Sequence, residues 1–130
     1  AIKEKALIDA FIKEVAKDGL AAYGYKEVLD ALNSNKASLL LVSEGLEWKK
    51  IKIKCPNCGR EEEKITRDPK EESCSCGGKM KILEEKELAD ELIELAEQKN
   101  IPLEMVSPDT SEGSQFLHGF HGIGAMLRYR

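Results

Sequence analysis

Apolar positions recur at helical spacing over residues 2–17, where Ile8, Phe11, Ile12, Val15 and Ala16 fall on one face. Lys3, Asp9, Lys13 and Glu14 lie largely opposite. Gly19 suits the end of that helix. A second helix fits residues 25–33, with Val28, Leu29 and Leu32 as its stripe and Asn33-Ser34-Asn35 as its stop. The unbroken apolar run Leu39-Leu40-Leu41-Val42 predicts a strand buried on both faces, as at the centre of a parallel sheet. Residues 47–54 then change period. Trp48, Ile51 and Ile53 alternate with Lys50, Lys52 and Lys54, which is strand spacing.

The alternation resumes at Met80 and Ile82, set against Lys79 and Lys81. A third helix is expected from about Glu85 to Lys99, on Leu88, Leu92, Leu95 and Ala96, ended by Asn100 and Pro102. Ile101, Leu103 and Met105 predict a short strand. Asp109 and Glu112 form a helix-start pair for a short helix over 111–118. Alternation from Ile123 to Tyr129 predicts a last strand. Strands interleaved with helices imply an α/β fold with a largely parallel or mixed central sheet between helices.

The cysteines change this picture. All four lie between Cys55 and Cys76. Cys55-Pro56-Asn57-Cys58-Gly59 is one turn and Cys74-Ser75-Cys76-Gly77-Gly78 the other, with fifteen residues between Cys58 and Cys74. A C-x2-C turn aims two thiolates to one side, and two such turns give the S4 set that suits a structural zinc ion. Clustered cysteines fit a reducing, cytoplasmic compartment better than a secreted disulfide scaffold. The second pair is C-x-C, a tighter bite. A redox C-x2-C would open a helix after a strand, and this one does not. The expected organisation is a core of residues 1–46 and 84–130, with a zinc ribbon on a hairpin stem inserted over 47–83.

Charged residues make up 34% of the chain, yet the net charge is −4 and the pI near 5.3, which excludes a general nucleic-acid coat. A local RNA contact through Lys50, Lys52, Lys54, Lys79 and Lys81 stays open beside their reading as a solvated edge. No apolar run approaches the roughly 18 residues of a membrane span. The chain opens on Ala1 and closes on Arg130 within an expected strand, so it reads as one domain of a longer protein. His118 and His121 lie in a glycine-rich loop with no matched ligand partners. No catalytic triad order, phosphate loop or H-E-x-x-H occurs.

Glu112-Gly113-Ser114-Gln115-Phe116 followed by Gly122-Ile123-Gly124-Ala125-Met126-Leu127-Arg128-Tyr129 is unusual in composition. These residues resemble the end of the class 1 peptide chain release factors of archaea and eukaryotes. Tyr23-Gly24-Tyr25-Lys26-Glu27-Val28 and Leu39-Leu40-Leu41-Val42-Ser43-Glu44 are similar to the start of the same C-terminal domain. The cysteine insert looks like the zinc-bearing mini-domain of archaeal members. The likeness covers essentially the whole chain.

The resemblance implies a mixed sheet sandwiched between helices, like ribosomal proteins that bind kinked RNA. It implies translation termination on the ribosome, with stop-codon reading and peptidyl-tRNA hydrolysis in other domains of the same release factor. Their G-G-Q and N-I-K-S signatures are absent here, so this domain would be non-catalytic. It also implies recruitment of a translational GTPase of elongation factor 1-alpha type and of the ribosome-recycling ABC ATPase. The partner surface would comprise Phe116, Phe120, Gly122, Ile123, Gly124, Met126, Leu127, Arg128 and Tyr129. The acidic C-terminal tail of many eukaryotic members is missing. A ribosome-rescue paralogue, an RNA-binding module and a redox enzyme using Cys55 and Cys58 are the competing readings.

Overall fold

In a computed structural model, residues 2–130 are described. In chain order the elements are α1 (Ile2–Ala16), β1 (Ala21–Tyr23), α2 (Tyr25–Asn33), β2 (Ala37–Ser43), β3 (Lys49–Lys54) and β4 (Glu61–Thr66). There follow β5 (Lys81–Glu87), α3 (Leu88–Gln98), β6 (Leu103–Val106), α4 (Ser111–Gly119) and β7 (Ile123–Leu127). They form two units, residues 1–46 with 92–130, and residues 47–91.

The first unit holds a sheet of order β1-β7-β2-β6. Strand β2 runs parallel to β6 and antiparallel to β7, so the sheet is mixed. The expectation of a fully buried strand at Leu39–Val42 holds from Leu40 onward, and Leu39 is half-buried. On one face Ile8 and Phe11 of α1 pack with Ala21, Leu41, Val106 and Phe116. Leu40, Val42 and Ala125 point the other way along the pleat and are equally buried. Helix α2 packs against β7, β1 and β2, burying Val28, Ala31 and Leu32. Ala16 departs from its expected role: it lies at the exposed end of α1. Beyond that end the Glu14 carboxylate accepts from the Leu20 N–H at 2.8 Å and pairs with Lys17 at 2.9 Å. These contacts, the first above all, hold its pKa below the ordinary carboxylate value.

The signature glycines are explained by this packing. A Cβ on Gly124 would stand 2.7 Å from Phe11 Cζ and 3.0 Å from a Phe116 ring carbon. A Cβ on Gly113 would stand 1.7 Å from the Ser107 carbonyl oxygen. Its amide donates to the Thr110 hydroxyl at 2.9 Å, the N-cap of α4, so the Ser107–Thr110 turn lies flat on that helix.

The second unit is a three-stranded antiparallel sheet of order β4-β3-β5. Its small core is Ile51, Ile53, Cys55, Cys74 and Met80, with Ile82 packed against it. It reaches Glu91 and not 83, because β5 runs on to Glu87 where a helix was expected from Glu85. Pairing with β3 takes the polar run Glu84–Glu87 into the sheet as far as Lys49↔Glu87. Strand β4 was not foreseen either. Glu61–Thr66 carries a single apolar residue, Ile65, and is made a strand by its pairing to β3. The three-residue β1 was likewise missed, β6 starts at Leu103 and not Ile101, and β7 ends at Leu127.

Gly113→Ala should cost at least about 3 kcal/mol, since the Ser107 carbonyl must move for the methyl to fit. Urea unfolding measures it, and a loss below about 1 kcal/mol would mean that the 107–110 turn yields freely.

Candidate metal centre

Strand β3 ends at Lys54 and delivers Cys55 to the rim of the small core. The first turn is closed by Gly59 N–H to Cys55 O at 2.7 Å and Cys55 N–H to Arg60 O at 2.8 Å. The second is closed by Gly77 N–H to Cys74 O at 3.0 Å and Cys74 N–H to Gly78 O at 2.8 Å. Gly59 and Gly77 have φ of 81° and 93°, left-handed values that branched side chains resist.

The four Sγ atoms lie within 4.8 Å of one another, with Cys55···Cys76 at 3.5 Å and Cys58···Cys74 at 3.6 Å. A tetrahedral ion with metal–sulfur bonds of about 2.3 Å needs sulfurs about 3.8 Å apart. The arrangement therefore fits a metal ion bound by four sulfurs. Among the described residues no other group of three or more His, Cys, Asp or Glu converges in this way. Cys55 and Cys74 are buried, and Cys58 and Cys76 are exposed. No room is left for a side chain at Gly78, whose Cβ would meet Cys55 Sγ and Asn57 Cβ at 2.9 Å each.

The thiols do not titrate alike. Asn57 Nδ2 donates to Cys76 Sγ at 3.5 Å and Gly78 N–H at 3.4 Å, and with Cys55 and Cys74 they hold the Cys76 pKa down at about 6. Cys74 is lowered, chiefly by the Cys76 N–H. The Arg60 N–H pulls Cys58 down too, but its hydrogen bonds with Cys76 and Cys74 outweigh it and push Cys58 up to about 11. Four thiolates cannot share so small a volume without a cation.

The other expected site residues separate into two groups. Phe116, Gly122, Ile123 and Gly124, expected on a partner surface, are buried. Gly122 has φ of 72°, and Phe116 makes an edge contact with Phe11 at 5.5 Å. These four form the base on which the loop rests. Phe120, Met126 and Leu127 are half-buried, and Arg128 and Tyr129 are exposed, Tyr129 by 51%. Because β7 ends at Leu127, Tyr129 lies outside the pleat that could have turned it inward. Tyr23 joins this group unforeseen, stacked on His121 at 6.3 Å and edge-on to Phe120 at 5.3 Å.

On the stem the five lysines lie among acidic residues. Lys50 pairs with Glu63 and Glu91 at 3.7 and 3.2 Å, and Lys79 and Lys81 share Glu71 at 3.8 and 3.4 Å. Lys52 sits between Glu63 and Glu84 across the strands, and Lys54 between Glu61 and Lys81. Acidic and basic residues are interleaved in this sheet because β4 and β5 are glutamate-rich, although Lys50 faces Lys86 and Lys54 faces Lys81.

Residues 1–130 match the family model described as eRF1 domain 3. The chain belongs to that release-factor family. It is 43% identical over 141 residues to peptide chain release factor subunit 1 of Methanocaldococcus jannaschii, covering 99% of this chain and 34% of that protein. The domain thus spans about a third of the length of its curated relatives. The solved C-terminal domain of a peptide chain release factor from Methanosarcina mazei superposes with a TM-score of 0.79 at 35% identity, covering 98% of this chain and 83% of that one. The fold alone is shared with archaeal Pelota, in a model of ribosome-bound Pelota and ABCE1, at a TM-score of 0.58, 24% identity, and 98% and 26% coverage. It is shared also with Saccharomyces cerevisiae Dom34, described as interacting with Hbs1, at 0.61, 21%, and 98% and 27%.

Sequence reasoning found the four cysteines that converge here but not the groups around them. Asn57 and Arg60 sit inside and just after the first turn, and that position was the only available signal.

Zn2+ titrated into the metal-free domain should displace a proton from Cys58 at neutral pH, where a thiol raised to about 11 is protonated. Below about 6 it must displace one from Cys76 as well, so apparent affinity should fall as pH falls. Titrations at pH 8 and pH 5.5 in buffers of different ionisation enthalpy read both effects, and an affinity independent of pH would contradict them. Cys58→Ser should abolish ion uptake and collapse the amide spectrum of 47–91 while that of 2–46 and 92–130 persists. Loss of the whole spectrum would refute this separation of the two units.

Proposed function

We propose that this chain acts in translation termination as the C-terminal interaction domain of a class 1 peptide chain release factor. The observation that carries the reading is the family match over residues 1–130, supported by likeness to a solved release-factor C-terminal domain. In this reading the domain performs no chemistry. Stop-codon recognition and peptidyl-tRNA hydrolysis belong to the rest of a protein of which this chain spans about a third. The domain works in the cytoplasm on the ribosome and recruits a translational GTPase of elongation factor 1-alpha type. A later partner is the ribosome-recycling ABC ATPase. The Pelota and Dom34 structures, whose descriptions name a ribosome with ABCE1 and a partner Hbs1, support such partners by analogy of fold.

The cysteine cluster holds a structural Zn2+ ion. Four sulfur donors leave no open position, so the ion folds residues 47–91 and takes no part in a reaction. Docking uses Phe120, Met126, Leu127, Arg128 and Tyr129, the part of the expected surface that solvent reaches. An exposed tyrosine and arginine over a rigid aromatic base suit an interface anchor. The Arg128 backbone is held by its N–H to Lys36 O at 2.7 Å, so its side chain can be changed without loosening the sheet. A role as a ribosome-rescue factor has less support, since the family match and the relatives near 40% identity are release factors, whereas the Pelota and Dom34 structures share the fold alone.

Calorimetric titration with archaeal elongation factor 1-alpha bound to a GTP analogue should give binding that Arg128→Glu weakens at least about tenfold. The unfolding midpoint of that variant should stay unchanged. Binding unaffected by Arg128→Glu would remove this surface from the interface, and no binding would reject direct recruitment by this domain.

A further inference from the structure

Among the described residues two side chains in and just after the first turn reach the second, Asn57 to a sulfur and Arg60 to a hydroxyl. Asn57 lies between Cys55 and Cys58 and donates to Cys76 Sγ at 3.5 Å. Arg60 lies two residues beyond Cys58. Its guanidinium puts Nη1 3.3 Å from the hydroxyl of Ser75, the residue between Cys74 and Cys76, while Nη2 pairs with Glu62. The Asn57 side chain also packs against the second turn, where Gly78 leaves space for its Cβ.

The sulfurs and the small core also join the two turns. The backbone donor to Cys76, the Gly78 N–H at 3.4 Å, acts within its own turn. A C-x-C turn has a single residue between its ligands and so depends more on outside support than a C-x2-C turn. Cys76 is also one of the two exposed sulfurs, open to acid and to competing ligands. Loss of an ion from such a set begins when one thiolate is protonated or captured. An N–H donor that withdraws electron density from that sulfur slows this first step.

We propose that Asn57 and Arg60 are positioning residues that clasp the C-x-C turn to the C-x2-C turn and set how long a bound ion stays. The inference rests on reading the four cysteines as a metal site. Asn57 shields Cys76, and Arg60 brings a positive charge to Cys74 beside a set that carries about two net negative charges around a divalent ion. Glu62 holds the guanidinium in place and tempers that charge.

The test is the rate at which the Zn2+-loaded chain yields its ion to a chromophoric chelator in excess. Asn57→Ala and Arg60→Gln should each release it about 10- to 100-fold faster, with Lys70→Ala unchanged as control. Asn57→Asp keeps the shape against Gly78 and replaces the donor by an acceptor, so it should release the ion faster still. A second readout separates donation from fold. In the Co2+-loaded chain the sulfur-to-metal charge-transfer bands should move to lower energy in the Asn57 variants, including any too unstable for kinetics. Parent-like rates and bands in loaded variants would overturn the clasp and leave the metal site standing. Failure of the parent chain to take up either ion would overturn the metal reading and the clasp with it.

Discussion

A phenyl ring laid on the backbone of a central strand fixes the spacing of the sheet unit. Phe11 of α1 approaches Gly124 of β7 so closely that no Cβ fits between them, and Phe116 of α4 closes on the same residue. The two rings meet edge to face at 5.5 Å, and Phe120 meets Phe11 at the same distance. Such pairs add about 1 kcal/mol each beyond the area they bury. More depends on their position than on that energy. Helices α1 and α4 both take their height above the sheet from this point, and the loop after α4 is aimed by it. The exposed Arg128 and Tyr129 follow directly from the strand that Phe11 pins.

The cysteine unit depends on a different constraint. Its core is a few side chains, two of them cysteines of the cluster, and by area alone so small a cluster is a weak basis for an ordered domain. A metal ion would supply what the missing apolar area cannot, and the whole polypeptide from β3 to β5 is arranged to present sulfur. The charged strands fit this arrangement. Glutamates along β4 and β5 face lysines of β3, so the sheet is laced by ion pairs where a larger domain would use a second layer. Exposed pairs of this kind are worth little singly, and their main effect is to keep two free strand edges from pairing with other chains.

How much of this was legible in the sequence follows the strength of each periodic signal. Helices α1, α2 and α4 and strands β2, β3 and β7 were readable because a buried face imposes a period on the residue types. Strand β4 and the end of β5 were not, since Glu61–Thr66 and Glu84–Glu87 owe their conformation to pairing and not to burial. The grouping of the four cysteines was readable from spacing. The side chains around them were not, because one asparagine and one arginine look the same in sequence whether they reach across to the second turn or into water. The glycine-rich motif was legible as unusual but ambiguous in meaning. In the fold Gly113, Gly122 and Gly124 answer to close contacts and a left-handed turn, so a motif that marks the family is in large part a packing code.

Strand order has one more consequence. β7 is the last element along the chain, yet it sits between β1 and β2, pairing Met126 with Ala21 and Ala125 with Leu40. About a hundred residues separate some of these partners, which is a high contact order for a domain of this size. During synthesis β1 and β2 emerge early and must wait, unpaired with each other, until their shared neighbour arrives. The cysteine unit is contiguous, with all its pairings made among residues 47–91, and needs no such wait. The inserted unit is thus positioned to fold first, on the ribosome, while the sheet into which its sequence is inserted is still incomplete.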